Sequence, residues 1–228
     1  MNYSLLIPQS IGMEKIRLGN QSMDGGYIFL KDMRVEALLS YGVGSDISFE
    51  SDFVRVFNKP AYCFDHTINA PPPISDGITY FKEGVAAQKT NDCDTVMSHI
   101  RRMELEGKPI ALKMDIEGDE FDVIESIQSF ENIEIIVIEL HDLSNPNHIN
   151  RSALKILNQH YVCFHVHGNN YCGENTNIGR SCPNTVEATF VSRRLVQDVA
   201  VDYGPFPTPL DRPNNSMSPD INCNWWIP

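Results

Sequence analysis

The chain has 228 residues, a hydrophobic fraction of 42% and a formal charge of -12, enough apolar material for one substantial core and read here as a single domain. The acidic balance argues against a polyanion-binding surface, because nucleic acid is held by clusters of Lys and Arg that are not present. No apolar run approaches the roughly 20 residues of a membrane helix, and the start, Met-Asn-Tyr-Ser-Leu-Leu-Ile-Pro, has no basic region. The expectation is a cytoplasmic protein with no membrane insertion.

Residues 1–36 read as an N-terminal cap, in which Asp24-Gly25-Gly26-Tyr27 is either a lid over a pocket, with Asp24 and Tyr27 facing it, or a hairpin turn with a buried Tyr. Strand-like runs follow at Leu38–Val43, Ala61–Asp65, Ile78–Phe81, Ile110–Asp115, Ile133–Glu139, Tyr161–His167 and Val186–Val191. Helical spacing is predicted at Ser45–Phe57, Asp92–Glu106, Asp119–Phe130 and Asn150–His160. Pro71-Pro72-Pro73 leaves no helix between the second and third strands. The alternation implies right-handed crossovers and a mostly parallel sheet with helices on both faces. Gly168 to Asn184 is too rich in Gly and Asn for a helix, so the last strand is expected to be antiparallel. The Pro-rich tail, 203–228, cannot form regular structure, yet Trp225-Trp226-Ile227 is apolar enough to dock it on the body. The six cysteines contain no Cys-x-x-Cys pair and are read as reduced; Cys172 and Cys182, which flank a Gly/Asn-rich loop, could otherwise form a disulfide or ligate a metal.

Two strand ends carry candidate chemistry. Gly42-Val43-Gly44 opens like a dinucleotide fingerprint, but the third glycine is replaced by Ile47. Asp65 ends the next strand about 20 residues on, where a carboxylate can accept hydrogen bonds from ribose hydroxyls or simply cap a turn. Asp115 and Glu117 follow an apolar strand and precede a helix, at the carboxyl edge where ligands of open α/β sheets collect.

Leu112-Lys113-Met114-Asp115-Ile116-Glu117-Gly118-Asp119-Glu120 resembles the Lys-x-Asp-x-Glu-Gly-x-Glu signature of FkbM-type S-adenosylmethionine-dependent methyltransferases. Further blocks resemble the same family in order: Arg17-Leu18-Gly19 with Asp24 to Tyr27, Ser40 to Gly44 with Asp46 to Glu50, Glu139-Leu140-His141, His165 to Asn170, and Val186 to Phe190. The resemblance implies a class I, Rossmann-like methyltransferase fold, seven strands with the last antiparallel, and S-adenosylmethionine as cofactor. It would place Gly42 and Gly44 under the methionine part, Asp65 at the ribose and the Glu83-Gly84 turn near adenine. The acidic residue that often precedes the glycine loop is absent, since that stretch is Ser40-Tyr41; Asp46, Asp115 or Asp24 would then take the cofactor's amino group, with Tyr41 beside them.

Methyl transfer to a hydroxyl needs a base or a metal to remove the proton. His141 is the leading base, with Asp115 orienting it or the acceptor, and His167 is its rival. A divalent ion on Asp115, Glu117, His141 and Asp142 is the less favoured alternative to Glu117 capping the next helix. Glu117, His167, Asn169, Asn170 and Tyr27 are expected around a small polar acceptor, a sugar or sugar-linked group, as in surface-polysaccharide or natural-product synthesis. The rival readings are an NAD-dependent oxidoreductase on the same sheet and a non-catalytic carbohydrate-binding protein on a methyltransferase fold; oligomeric state is left open.

Overall fold

The seven apolar runs pair into one sheet in the computed structural model, which describes residues 2–149, 151–175, 182–223 and 225. The strands are β1 (Ala37–Tyr41), β2 (Ala61–Phe64), β3 (Ile78–Phe81), β4 (Ile110–Met114), β5 (Ile133–Leu140), β6 (Tyr161–Gly168) and β7 (Val186–Ser192). Their order across the sheet is β3-β2-β1-β4-β5-β7-β6. Neighbours from β3 to β5 are parallel, and β7 runs antiparallel to both β5 and β6. Every residue of β1 and β4 is buried, as expected where both faces of a parallel sheet are covered.

Side chains alternate between two cores. On one face Leu39 and Tyr41 of β1 meet α2 (Val96–Arg102), α3 (Glu120–Ser126) and α4 (Ser152–His160) through Ile100, Ile124 and Leu157. On the other, Leu38 meets Phe49 and Phe53 of α1 (Ser48–Phe57). Among the described residues one helix lies there. An antiparallel hairpin, Lys15–Gly19 with Gly26–Leu30, supplies the remaining cover through Tyr27, Phe29 and Leu30. The N-terminal segment is thus a wall of the core, with the Asp24-Gly25 turn at its tip.

The helices are shorter than their apolar spacing predicts, for local reasons. α2 begins only at Val96, because Cys93–Asp94 pairs with Gly84–Val85 and Thr95 accepts the Ser98 N–H as N-cap. α3 stops at Ser126, where Ile127 turns extended. Asn150, the expected start of the last helix, lies outside the described residues, and α4 runs from Ser152.

The tail crosses the ends of β6 and β7. Phe206, Ile221, Cys223 and Trp225 are buried, while Trp226 and Ile227 lie outside the described residues. Asp211 bonds His165 Nε2 at 2.8 Å and Asp220 bonds His167 Nε2 at 3.0 Å. Asn214 Nδ2 donates to Glu187 at 2.6 Å and to Asp24 at 3.0 Å, which ties the tail to the hairpin turn. None of the six cysteines forms a disulfide. Among the described residues no helix is long and apolar enough to cross a membrane.

Candidate functional site

Strand order reverses direction between β1 and β4, the switch point at which ligands of open α/β sheets bind. A cavity of about 690 Å³ opens there, within the usual size for small-molecule sites. The loops after β1, β2 and β4 line it together with the tip of the hairpin.

The glycine loop after β1 has two separate reasons for its composition. Gly42 sits at φ +72°, and a Cβ there would fall 1.6 Å from the Asp115 carbonyl oxygen, so this glycine lets β1 and β4 close on each other. Gly44, at φ +52°, faces open space, where a bound molecule can approach its backbone. Its N–H donates to Asp65 Oδ2 at 2.9 Å. Asp65 Oδ1 accepts from the Thr67 N–H at 2.8 Å and from the Thr67 hydroxyl at 2.6 Å. Burial pushes the Asp65 carboxyl up, but these hydrogen bonds outweigh it and hold the group below its ordinary value, ionised at neutral pH. Asp65 therefore closes a turn and also presents charge to the cavity. Lys113, the lysine of the strand motif, supports the same loop from beneath, donating to the Gly42 carbonyl at 3.2 Å with its ammonium 5.2 Å from the Tyr27 ring.

Carboxylates crowd the other end of the cavity. Asp115 Oδ2 accepts the Tyr27 hydroxyl at 2.8 Å. Glu117 has φ +61° and an 86% exposed side chain, and it does not cap α3. Glu120, the first residue of α3, folds back on the preceding loop: its Oε1 accepts the N–H groups of Ile116 at 3.2 Å and Gly118 at 3.0 Å. The same oxygen lies 2.9 Å from His141 Nδ1, and this turns Nε2 toward Glu117 Oε2 at 3.5 Å and Glu139 Oε2 at 3.6 Å. One ligand atom from each of Asp115, Glu117 and His141 lies within 4.8 Å of the others. Burial lowers the His141 pKa, yet the bond to Glu120 and the charges of Glu120, Asp115 and Glu117 outweigh it and raise the pKa above its ordinary value. Burial, with Asp115 and Glu187 nearby, pushes the Glu139 carboxyl well up.

The structure brings together Gly42, Gly44, Asp46, Asp65, Gly84, Asp24, Tyr27, Asp115 and Glu117 on the cavity wall. It removes others. Tyr41 is a core residue, its hydroxyl 3.0 Å from His99 Nδ1 and its ring packed on Phe64, because β1 alternation points it to the helical face. His167 is enclosed between Glu187 at 2.9 Å and Asp220 at 3.0 Å, away from the wall. Asn169 is buried against Glu139 at 2.6 Å, and Asn170 donates to carbonyls of Asn215, Ser218 and Pro219 in the tail. Only Tyr171 of that loop reaches the cavity. His141 stands behind Asp115 and Glu117, and not on the wall itself. Asp142 pairs with His148 at 3.6 Å and is no part of the cluster. Glu83 is held by Arg102, leaving Gly84 alone of its turn at the cavity.

Sequence reasoning passed over Glu139 and Lys113 as site residues. The signal for Glu139 was its place two residues before His141 on one strand, and for Lys113 a lone cation inside an apolar run. Fold and site together define an α/β protein with a seven-stranded, mostly parallel sheet, compatible with a Rossmann-like fold, and a cavity at its switch point. No protein-family model, curated protein or solved structure matches the chain.

Proposed function

We propose that this chain is an S-adenosylmethionine-dependent methyltransferase of the FkbM type, acting on a hydroxyl of a small polar acceptor, a sugar or sugar-linked group. The observation that carries the reading is the Gly44–Asp65 contact on the wall of the same cavity that ends in Asp115 and Glu117. One end offers backbone and an ionised carboxylate to a nucleoside, and the other offers carboxylates to a proton-losing acceptor. Support also comes from the strand order: an antiparallel β7 inserted between β5 and β6 is what the class I methyltransferase fold implies. It departs from the 3-2-1-4-5-6 order of dinucleotide-binding sheets.

The sulfonium of the donor is a cation, and Asp24, Asp46, Asp115, Glu117 and Asp119 line the cavity with negative charge. In the transfer, the acceptor oxygen approaches the methyl carbon in line with the carbon–sulfur bond, at about 3 Å, so alignment supplies much of the acceleration. The new oxygen–carbon bond forms as the carbon–sulfur bond breaks, and its electron pair stays on sulfur as a neutral thioether. The hydroxyl proton leaves at the Asp115–His141 end.

Calorimetric titration with S-adenosylhomocysteine, beside NADH, tests the reading. The demethylated cofactor is expected to bind, and Asp65→Ala to weaken it about 10- to 100-fold, the loss of charge-assisted hydrogen bonds. Binding of NADH alone would replace the proposal with an oxidoreductase. Cofactor binding with no turnover over a broad acceptor panel would replace it with a carbohydrate-binding protein.

A further inference from the structure

His141 has one nitrogen committed and one available. Glu120 Oε1 sits 2.9 Å from Nδ1 and so takes the N–H, which leaves the Nε2 lone pair facing the carboxylates of Glu117 and Glu139. A carboxylate that fixes the tautomer from behind is the usual outer support of a metal-binding histidine.

Glu139 is a second, separate sign. It is 5% exposed, and Asn169 holds only its Oε1, at 2.6 Å. Its Oε2 points to His141 Nε2 at 3.6 Å. A buried carboxyl aimed at the same nitrogen, from the strand that His141 follows, gives the cluster a further oxygen group on its inner side.

We propose that Asp115, Glu117 and His141 bind a divalent cation at the acceptor end of the cavity, with Glu139 as the buried carboxyl behind it. Two ligands each about 2.1 Å from one ion are at most about 4.2 Å apart. The three ligand atoms lie within 4.8 Å of one another, so closure needs shifts of a few tenths of an ångström, and the exposed Glu117 side chain is free to make them. Two carboxylates with one imidazole suit an ion that accepts both oxygen and nitrogen, for which Mn²⁺ is the natural probe. Asp115 and Glu117 line the cavity, so the ion's remaining positions open onto the acceptor. Such an ion holds two adjacent oxygens of one molecule, which narrows the acceptor to a vicinal diol or a hydroxyl next to a carbonyl or carboxylate. Coordination lowers the pKa of the bound hydroxyl, so its proton passes to water and His141 serves as a ligand. This substrate class rests on the methyltransferase reading, whereas the ion site does not.

The test is electron paramagnetic resonance of Mn²⁺ added to chelator-stripped full-length protein, without cofactor or acceptor. About one Mn²⁺ per chain is expected to lose its free-ion signal. His141→Ala and Asp115→Asn are each expected to weaken binding at least about tenfold, and Asp142→Asn, a nearby carboxylate outside the cluster, to leave it unchanged. Glu117→Gln, at an exposed side chain, gives the same reading if the buried variants fail to fold. A full free-ion signal with wild-type protein, or equal losses in Asp142→Asn and Glu117→Gln, overturns the site. Mn²⁺ binding without S-adenosylhomocysteine binding would keep the ion site and discard the methyltransferase; the reverse result would do the opposite.

Discussion

His141 and His167 both end strands among carboxylates, yet they occupy opposite kinds of environment. At His167, Glu187 and Asp220 bond both ring nitrogens, at 2.9 and 3.0 Å, and the tail seals the group from water. At His141 only Nδ1 is bonded, and Nε2 faces carboxylates at 3.5 and 3.6 Å beside an open cavity. A histidine with both nitrogens satisfied holds the fold together; one with a nitrogen left over has capacity for a ligand or a proton.

The comparison breaks most directly in stability measurements. His167→Ala would leave Glu187 and Asp220 without their shared cation, and a loss of about 3 to 5 kcal/mol is expected, read from urea unfolding. His141→Ala is expected to cost about 1 kcal/mol or less, since its Nε2 makes no hydrogen bond and Glu120 keeps its two backbone donors. Equal losses would erase the distinction between the two sites.

Titration sharpens it further. Burial lowers the His167 pKa, but the bonds to Asp220 and Glu187 outweigh it and raise the pKa to about 10. A folded-state pKa above the unfolded value of about 6.5 stabilises fully below that value and loses the contribution as pH climbs through about 10. The melting temperature is therefore expected to fall from pH 7 to pH 10, and to fall less in His167→Gln. His141, also raised, should show the contrary sign in ligation: Mn²⁺ affinity is expected to increase as pH rises and the imidazole gives up its proton. A pH-independent Mn²⁺ affinity would remove His141 from the ligand set.

An effect of similar size belongs to the contact between the hairpin and the end of β4. Tyr27→Phe removes the 2.8 Å bond to Asp115 but keeps the ring against Phe49. A loss of about 1 kcal/mol in unfolding free energy is expected, with S-adenosylhomocysteine affinity unchanged. A larger loss of cofactor affinity would make Tyr27 part of the donor site.

Much of the site was legible because strand ends are written locally. Gly42, Gly44, Asp65, Asp115 and Glu117 each follow an apolar run, and a parallel sheet places all such ends on one edge. Asn169, Asn170 and His167 read as ligand-binding residues by the same local logic, and the structure gives their side chains partners within the fold. Their partners, Glu139, the Asn215–Pro219 carbonyls and Asp220, come from distant segments whose approach no local pattern encodes. Glu117 does not cap the helix for a similar reason: the left-handed turn at Glu117 turns its side chain out, and Glu120 instead accepts the loop amides of Ile116 and Gly118.

Alternation and periodicity by themselves determined the α/β class, the seven strands and the antiparallel last one, because apolar spacing and Gly/Pro placement act over a few residues. Only the tertiary structure decided that the N-terminal hairpin replaces helices on one face, that the tail consumes His165 and His167, and that Glu139 stands behind His141. Those outcomes depend on which buried polar atoms find partners across the fold, and a hydrogen bond over 2.9 Å is specified by packing of the whole chain, not by neighbours in sequence.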